Sequence, residues 1–164
     1  MASPRVIIVT PIILTLITAA FVILYVSPSV TTENVEIISK YVTWNPSQVQ
    51  YEAITTTGML KRISISNFWE VIITLKNKGE SEASLTDVLI NHKPPSEFKP
   101  SIICMTKIDD NPAYLTYNII IKSGENAKII LLIPFQESEL NHGKLIEIRI
   151  RTQTRERAIV LTLP

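Results

Sequence analysis

Apolar positions are distributed in two ways along this chain. Residues 6–26, from Val6 to Val26, read VIIVTPIILTLITAAFVILYV, 21 residues without a charge. At 1.5 Å per residue, a helix of that length spans about 30 Å, the thickness of a bilayer's hydrocarbon core. Beyond it the period becomes that of strands. Short segments rich in β-branched and aromatic residues cover 35–44, 48–56, 60–66, 68–77, 84–90, 101–108, 114–121, 127–133, 143–151 and 157–164. Turn signals separate them, among them Asn45-Pro46, Gly58, the Asn77–Ser81 loop, Pro94-Pro95, Asp109–Pro112 and Gly124. Nine or ten short strands without intervening helices predict an all-β fold, an immunoglobulin-like β-sandwich preceded by a single N-terminal transmembrane helix. The organisation expected is a short cytoplasmic leader (1–5), a transmembrane helix (6–26), a linker (27–33) and an extracytoplasmic sandwich domain (34–164).

The run at 6–26 reads as an uncleaved anchor. No A-x-A pattern follows it, and its apolar core is longer than that of a secretory signal. Arg5 lies on the short side and Glu33 and Glu36 on the far side, so the positive-inside rule places the N-terminus in the cytoplasm. Arg5 is the only charged side chain before Glu33, which leaves 15 basic residues against 15 acidic ones in the remainder. That balance gives no electrostatic footprint for nucleic acid. The lone Cys104 cannot form a disulfide within the chain and reads as a small core residue in SIICM.

Ile119, Ile120 and Ile121, and the run containing Ile129, Ile130 and Leu131, are apolar on both faces of their strands. A strand of a two-layer sandwich alternates, one face inward and one toward water. A doubly apolar strand needs a second cover. The loop at 94–100 or the first strand is one candidate, and a protein interface is the other. These residues are therefore candidates for self-association. Arg149, Arg151, Arg155 and Arg157 make the C-terminal hairpin locally basic. They suggest a solvated strand face or docking to an acidic partner or glycan surface, with Arg149 and Arg151 the candidate partner face.

No motif assigns a catalytic, cofactor-binding or metal-ligating residue. His92 and His142 stand in turns without metal-ligand spacing, and Asp109-Asp110-Asn111 reads as a turn with too few oxygens for calcium. No cofactor is expected, and the aromatic residues look dispersed along the chain.

The uncharged helix at 6–26, ITLKNKGESEASLTDVLIN (73–91), IIIKSGENAKIILLIP (119–134) and IEIRIRTQTRERAIVLTLP (146–164) together resemble archaeal envelope proteins that carry one hydrophobic helix and an outer β-sandwich. That group includes archaellins, archaeal type IV pilins and the archaellum accessory proteins FlaF and FlaG. The leader MASPR lacks the basic cleavage junction of a pilin precursor, so the chain is more similar to FlaF. The resemblance implies a stator-like component of archaeal motility that forms a homo-oligomer, expectedly a dimer. By the same resemblance it binds a FlaG-type partner and the surface layer. The alternatives are a filament subunit and an anchored extracytoplasmic binding domain.

Overall fold

The computed structural model describes residues 33–135 and 140–164. The leader, the apolar run 6–26 and the linker up to residue 32 lie outside the described residues. The described residues form one compact unit.

Among the described residues its regular structure is eleven strands and one 3₁₀ turn. The strands are β1 (Val35–Asn45), β2 (Val49–Ile54), β3 (Leu60–Ile65), β4 (Phe68–Asn77), β5 (Ala83–Ile90), β6 (Ile103–Ile108), β7 (Ala113–Tyr114), β8 (Ile119–Ile121), β9 (Asn126–Pro134), β10 (Leu145–Thr152) and β11 (Glu156–Thr162). The 3₁₀ turn at Pro95–Glu97 sits between β5 and β6. A seven-stranded sheet runs β1-β4-β9-β6-β7-β2-β3, and a four-stranded sheet runs β11-β10-β5-β8.

Strand alternation builds the core between them. β4 turns Trp69, Val71, Ile73 and Leu75 inward, and β9 adds Ile129, Leu131 and Ile133. Leu85, Val88 and Ile90 of β5 meet them from the smaller sheet, with Ile146, Ile148 and Ile150 of β10. The described residues thus form an all-β, two-sheet sandwich over one principal core.

A second core lies on the other face of the larger sheet. Phe68 of β4, Leu132 of β9 and Met105 of β6 are buried there with Ala53 and Ile63 of the β2–β3 hairpin. The hairpin folds across this face. The Tyr51 hydroxyl donates to Glu70 Oε1 at 2.9 Å, and the Tyr51 ring meets Phe68 edge-on. Burial and the adjacent Glu70 carboxylate push the Tyr51 hydroxyl well above its ordinary pKa.

The segment 114–121, expected as one strand, is two. β7 belongs to the larger sheet and β8 to the smaller, so the chain changes sheets between them. The crossing satisfies its backbone without a ladder. Buried Thr106 donates its hydroxyl to the Thr116 carbonyl, and the Thr116 hydroxyl accepts from the Asn118 N–H at 3.1 Å. Asn91 and His92 (φ 46° and 67°) make the two-residue turn after β5, with Ile90 and Lys93 exchanging both backbone bonds.

Candidate interaction surfaces

Two cores account for the doubly apolar strands. Along β9, Ile129 and Leu131 point into the principal core, fully buried, while Ile130 packs half-buried against the second. The cover over the second face is the β2–β3 hairpin, and neither the 94–100 loop nor β1 supplies it. Ile129, Ile130 and Leu131 are therefore packing residues, and the strand's two-sided apolarity is satisfied within the chain. On β8, Ile121 is buried and Ile119 half-buried against the principal core. Of the six candidates for self-association, Ile120 alone presents a large free surface, at 55% exposure on the edge strand of the smaller sheet.

Arg149 and Arg151 do sit on the outward face of the smaller sheet, but their charge is spent within it. Arg149 lies 3.1 Å from Glu147 and 3.2 Å from Glu156. Arg151 bonds Glu156 and lies 3.9 Å from Asp87. His92 meets Glu147 from the β5 turn at 3.3 Å. Arg151, followed by Arg149, holds the Glu156 carboxyl below the usual carboxylate range. Three carboxylates face two guanidinium groups, so the face is a mixed, internally paired grid and not a basic patch. Pairing in the β10–β11 and β10–β5 registers created it: Arg151 stands opposite Glu156 on one side and Asp87 on the other.

Aromatic side chains that look scattered in sequence gather at one end of the sandwich. Trp44, Trp69, Phe135 and His142 are mutually in contact, every pair of rings having centroids 5.0 to 5.5 Å apart. Trp44 and Trp69 meet because β1 and β4 pair them directly. The Trp69 indole N–H donates to the Pro164 carbonyl at 3.3 Å, and His142 Nδ1 contacts the same oxygen. His142 is thus more than a solvated turn residue. Trp69 is fully buried, whereas Phe135 is 40% exposed, so the group is half core and half surface. A sequence signal existed for one pair only: Trp44 and Trp69 each lie near one end of strongly patterned strands.

Asp109 (φ 43°) ends β6 and accepts from both the backbone and side-chain nitrogens of Asn126, at 3.3 and 3.2 Å. It borders a shallow hollow of about 330 Å³ lined also by Ile38, Thr74, Asp110 and Lys128. Among the described residues no group of three or more His, Cys, Asp or Glu side chains is arranged to hold a metal ion. Cys104 faces the principal core from β6, and burial pushes its thiol up to about 12.

Remaining exposed apolar side chains are spread over several places: Ile38 and Tyr41 on β1, Met59 and Leu60 at the β2–β3 tip, and Leu145 and Val160 on the smaller sheet. Searches against protein-family models and against curated proteins find no match for this chain.

Proposed function

We propose that this chain is a membrane-anchored structural component of the archaellum machinery. In this reading it is stator-like, with an immunoglobulin-like sandwich held outside the cell membrane by residues 6–26. The domain contacts a second copy of itself, a FlaG-type accessory protein and the surface layer. The observation that carries the reading is the joining of one 21-residue uncharged run to a two-sheet sandwich within a single short chain. Such a domain offers edges and faces for docking rather than a reaction centre. Ile120 on β8 supports self-contact, and the half-exposed aromatic end supports a second contact, since preorganised aromatic side chains are favoured interface anchors.

The test uses the full chain solubilised in detergent and incubated with isolated surface-layer sheets. Co-sedimentation with the sheets is expected. Failure to co-sediment, under conditions where the chain is folded by circular dichroism, overturns the stator reading. Sequencing the N-terminus of the protein taken from cells adds an independent check. An intact leader, or one lacking only Met1, agrees with a permanent anchor, while a start at the edge of the apolar run assigns the chain to filament subunits.

A further inference from the structure

β1 and β11 are edge strands of different sheets, and they run side by side. Arg157 Nε of β11 donates to the Val35 carbonyl at 3.3 Å, and Lys40 Nζ of β1 donates to the Val160 carbonyl at 3.2 Å. Before these two ties, the buried Glu33 carboxylate accepts from the Thr152 hydroxyl at the foot of the β10–β11 turn. After them, Trp44 packs on Trp69, whose indole holds the Pro164 carbonyl. Both strands therefore point the same way. The chain enters β1 at one end of the sandwich and leaves β11 at the other, about 30 Å away at ~3.3 Å per residue.

We infer that this domain is a load-bearing link along that axis, a role that rests on reading the N-terminal segment as a tether. Tension applied between Asn34 and Pro164 slides β1 against β4 and β11 against β10. Ten residue pairs join β1 to β4, from Val35↔Asn77 to Asn45↔Phe68, and seven join β11 to β10. Antiparallel hydrogen bonds lie perpendicular to their strands, so a pull along the strand loads all of them together. A pull across the strands opens them one after another from an end.

The side-chain ties act in the same direction. Under this tension β1 and β11 move oppositely, and Lys40 and Arg157 each bind one of these strands to a carbonyl of the other. Lys40 stands opposite inward-facing Ile73 in the β1–β4 register, so its stem lies on the core side of the edge. An inward-pointing charge on an edge strand also blocks strand addition by another chain. The tie and the blocked edge are one device: the edge that bears load is closed to other chains.

Single-molecule pulling on the full chain tests this. Handles are attached at N34C and P164C for the long axis. For a crosswise axis they are attached at S47C and P164C, because Ser47 follows β1 at the same end as Pro164. Cys104→Ala in every variant leaves the two introduced thiols as the attachment points. A several-fold higher unfolding force is expected on the long axis. The double variant Lys40→Ala, Arg157→Ala should lower the long-axis force and leave the crosswise force unchanged. Equal forces on the two axes, or a double variant whose long-axis force does not fall, overturns the inference. A chain that resists strongly on the long axis yet does not co-sediment with surface-layer sheets removes the stator reading and keeps the load path.

Discussion

Asn77 shows how one buried polar side chain organises a whole end of the molecule. Its side-chain amide donates to the Ser81 carbonyl at 2.8 Å and to the Ile121 carbonyl at 2.9 Å, and its Oδ1 accepts from the Gly79 N–H at 3.0 Å. The backbone joins in, because Asn77 N–H donates to Glu125 and Gly124 N–H donates to Asn77. The residue thereby clips the β4–β5 loop to β8 and to the β8–β9 turn. Asn77→Ala removes this partner from the Gly79 N–H, the buried bond to the Ile121 carbonyl and the part-buried bond to the Ser81 carbonyl. At about 1–3 kcal/mol per buried group stranded, a loss of roughly 2–4 kcal/mol is expected in urea denaturation, since relaxation and water recover part. A loss below that of an ordinary surface substitution would show that the clip is dispensable. Cys104 gives a pH signature at the same scale. Its thiol is near 12 in the folded chain and ~8.5 when unfolded. The folded form therefore keeps its proton after the unfolded form has lost it, and the unfolded state binds fewer protons. Stability contributed by the protonated thiol is complete below about pH 8.5 and falls as pH rises toward 12. In practice, a thiol reagent at pH 8 should label the denatured chain quickly and the native chain much more slowly.

At the scale of elements, the β2–β3 hairpin is the feature with the largest consequence. It is joined to the rest of its sheet by two backbone pairs, Ala53↔Ala113 and Ile54↔Tyr114, so its hold comes mainly from the second core. Leu132 is the buried β9 side chain at the centre of that core. Leu132→Ala should cost about 2–5 kcal/mol, the range for truncating a buried leucine, and should loosen the hairpin selectively. Hydrogen exchange at β2 and β3 should rise more than at β5 and β10, and uniform acceleration would contradict a separately held hairpin. The strands themselves were legible from alternation: FWEVIITLKN and LIEIRIR state which face is buried, and the turns at Asn45-Pro46, Gly58 and Gly124 fall where expected. Two-sided burial of β9 was legible as well, because IILLI has no polar face. What covers it was not legible, since VQYEAI and LKRISI have the composition of any half-exposed hairpin. Their position over Phe68, Leu132 and Met105 follows from a sheet that continues past β6 through β7. A two-residue strand leaves almost no pattern to read. The pairing of Arg149 and Arg151 was hidden for a related reason, because Asp87 lies 64 residues before Arg151 and only register brings them together.

For the whole molecule, the two cores decide where a second copy can dock. Of the six candidates for self-association, Ile121, Ile129 and Leu131 are sealed inside, and a lysine there buries an unpaired charge and threatens the fold. Ile120 is different. It stands opposite Ser84 in the β5–β8 register, points away from the principal core, and lies on a short edge strand. Self-association through the β8 edge of the smaller sheet crosses this position, and a lysine there places a hydrated ammonium in an apolar contact. Ile120→Lys is therefore expected to shift the full chain in detergent from dimer to monomer by sedimentation, with its circular dichroism spectrum and urea midpoint unchanged. Ile121→Lys serves as the contrast and should lose the folded spectrum itself. A dimer that survives Ile120→Lys moves the contact off β8. Phe135 then becomes the next position to substitute, because it packs against the Trp44 and Trp69 rings and still reaches the surface.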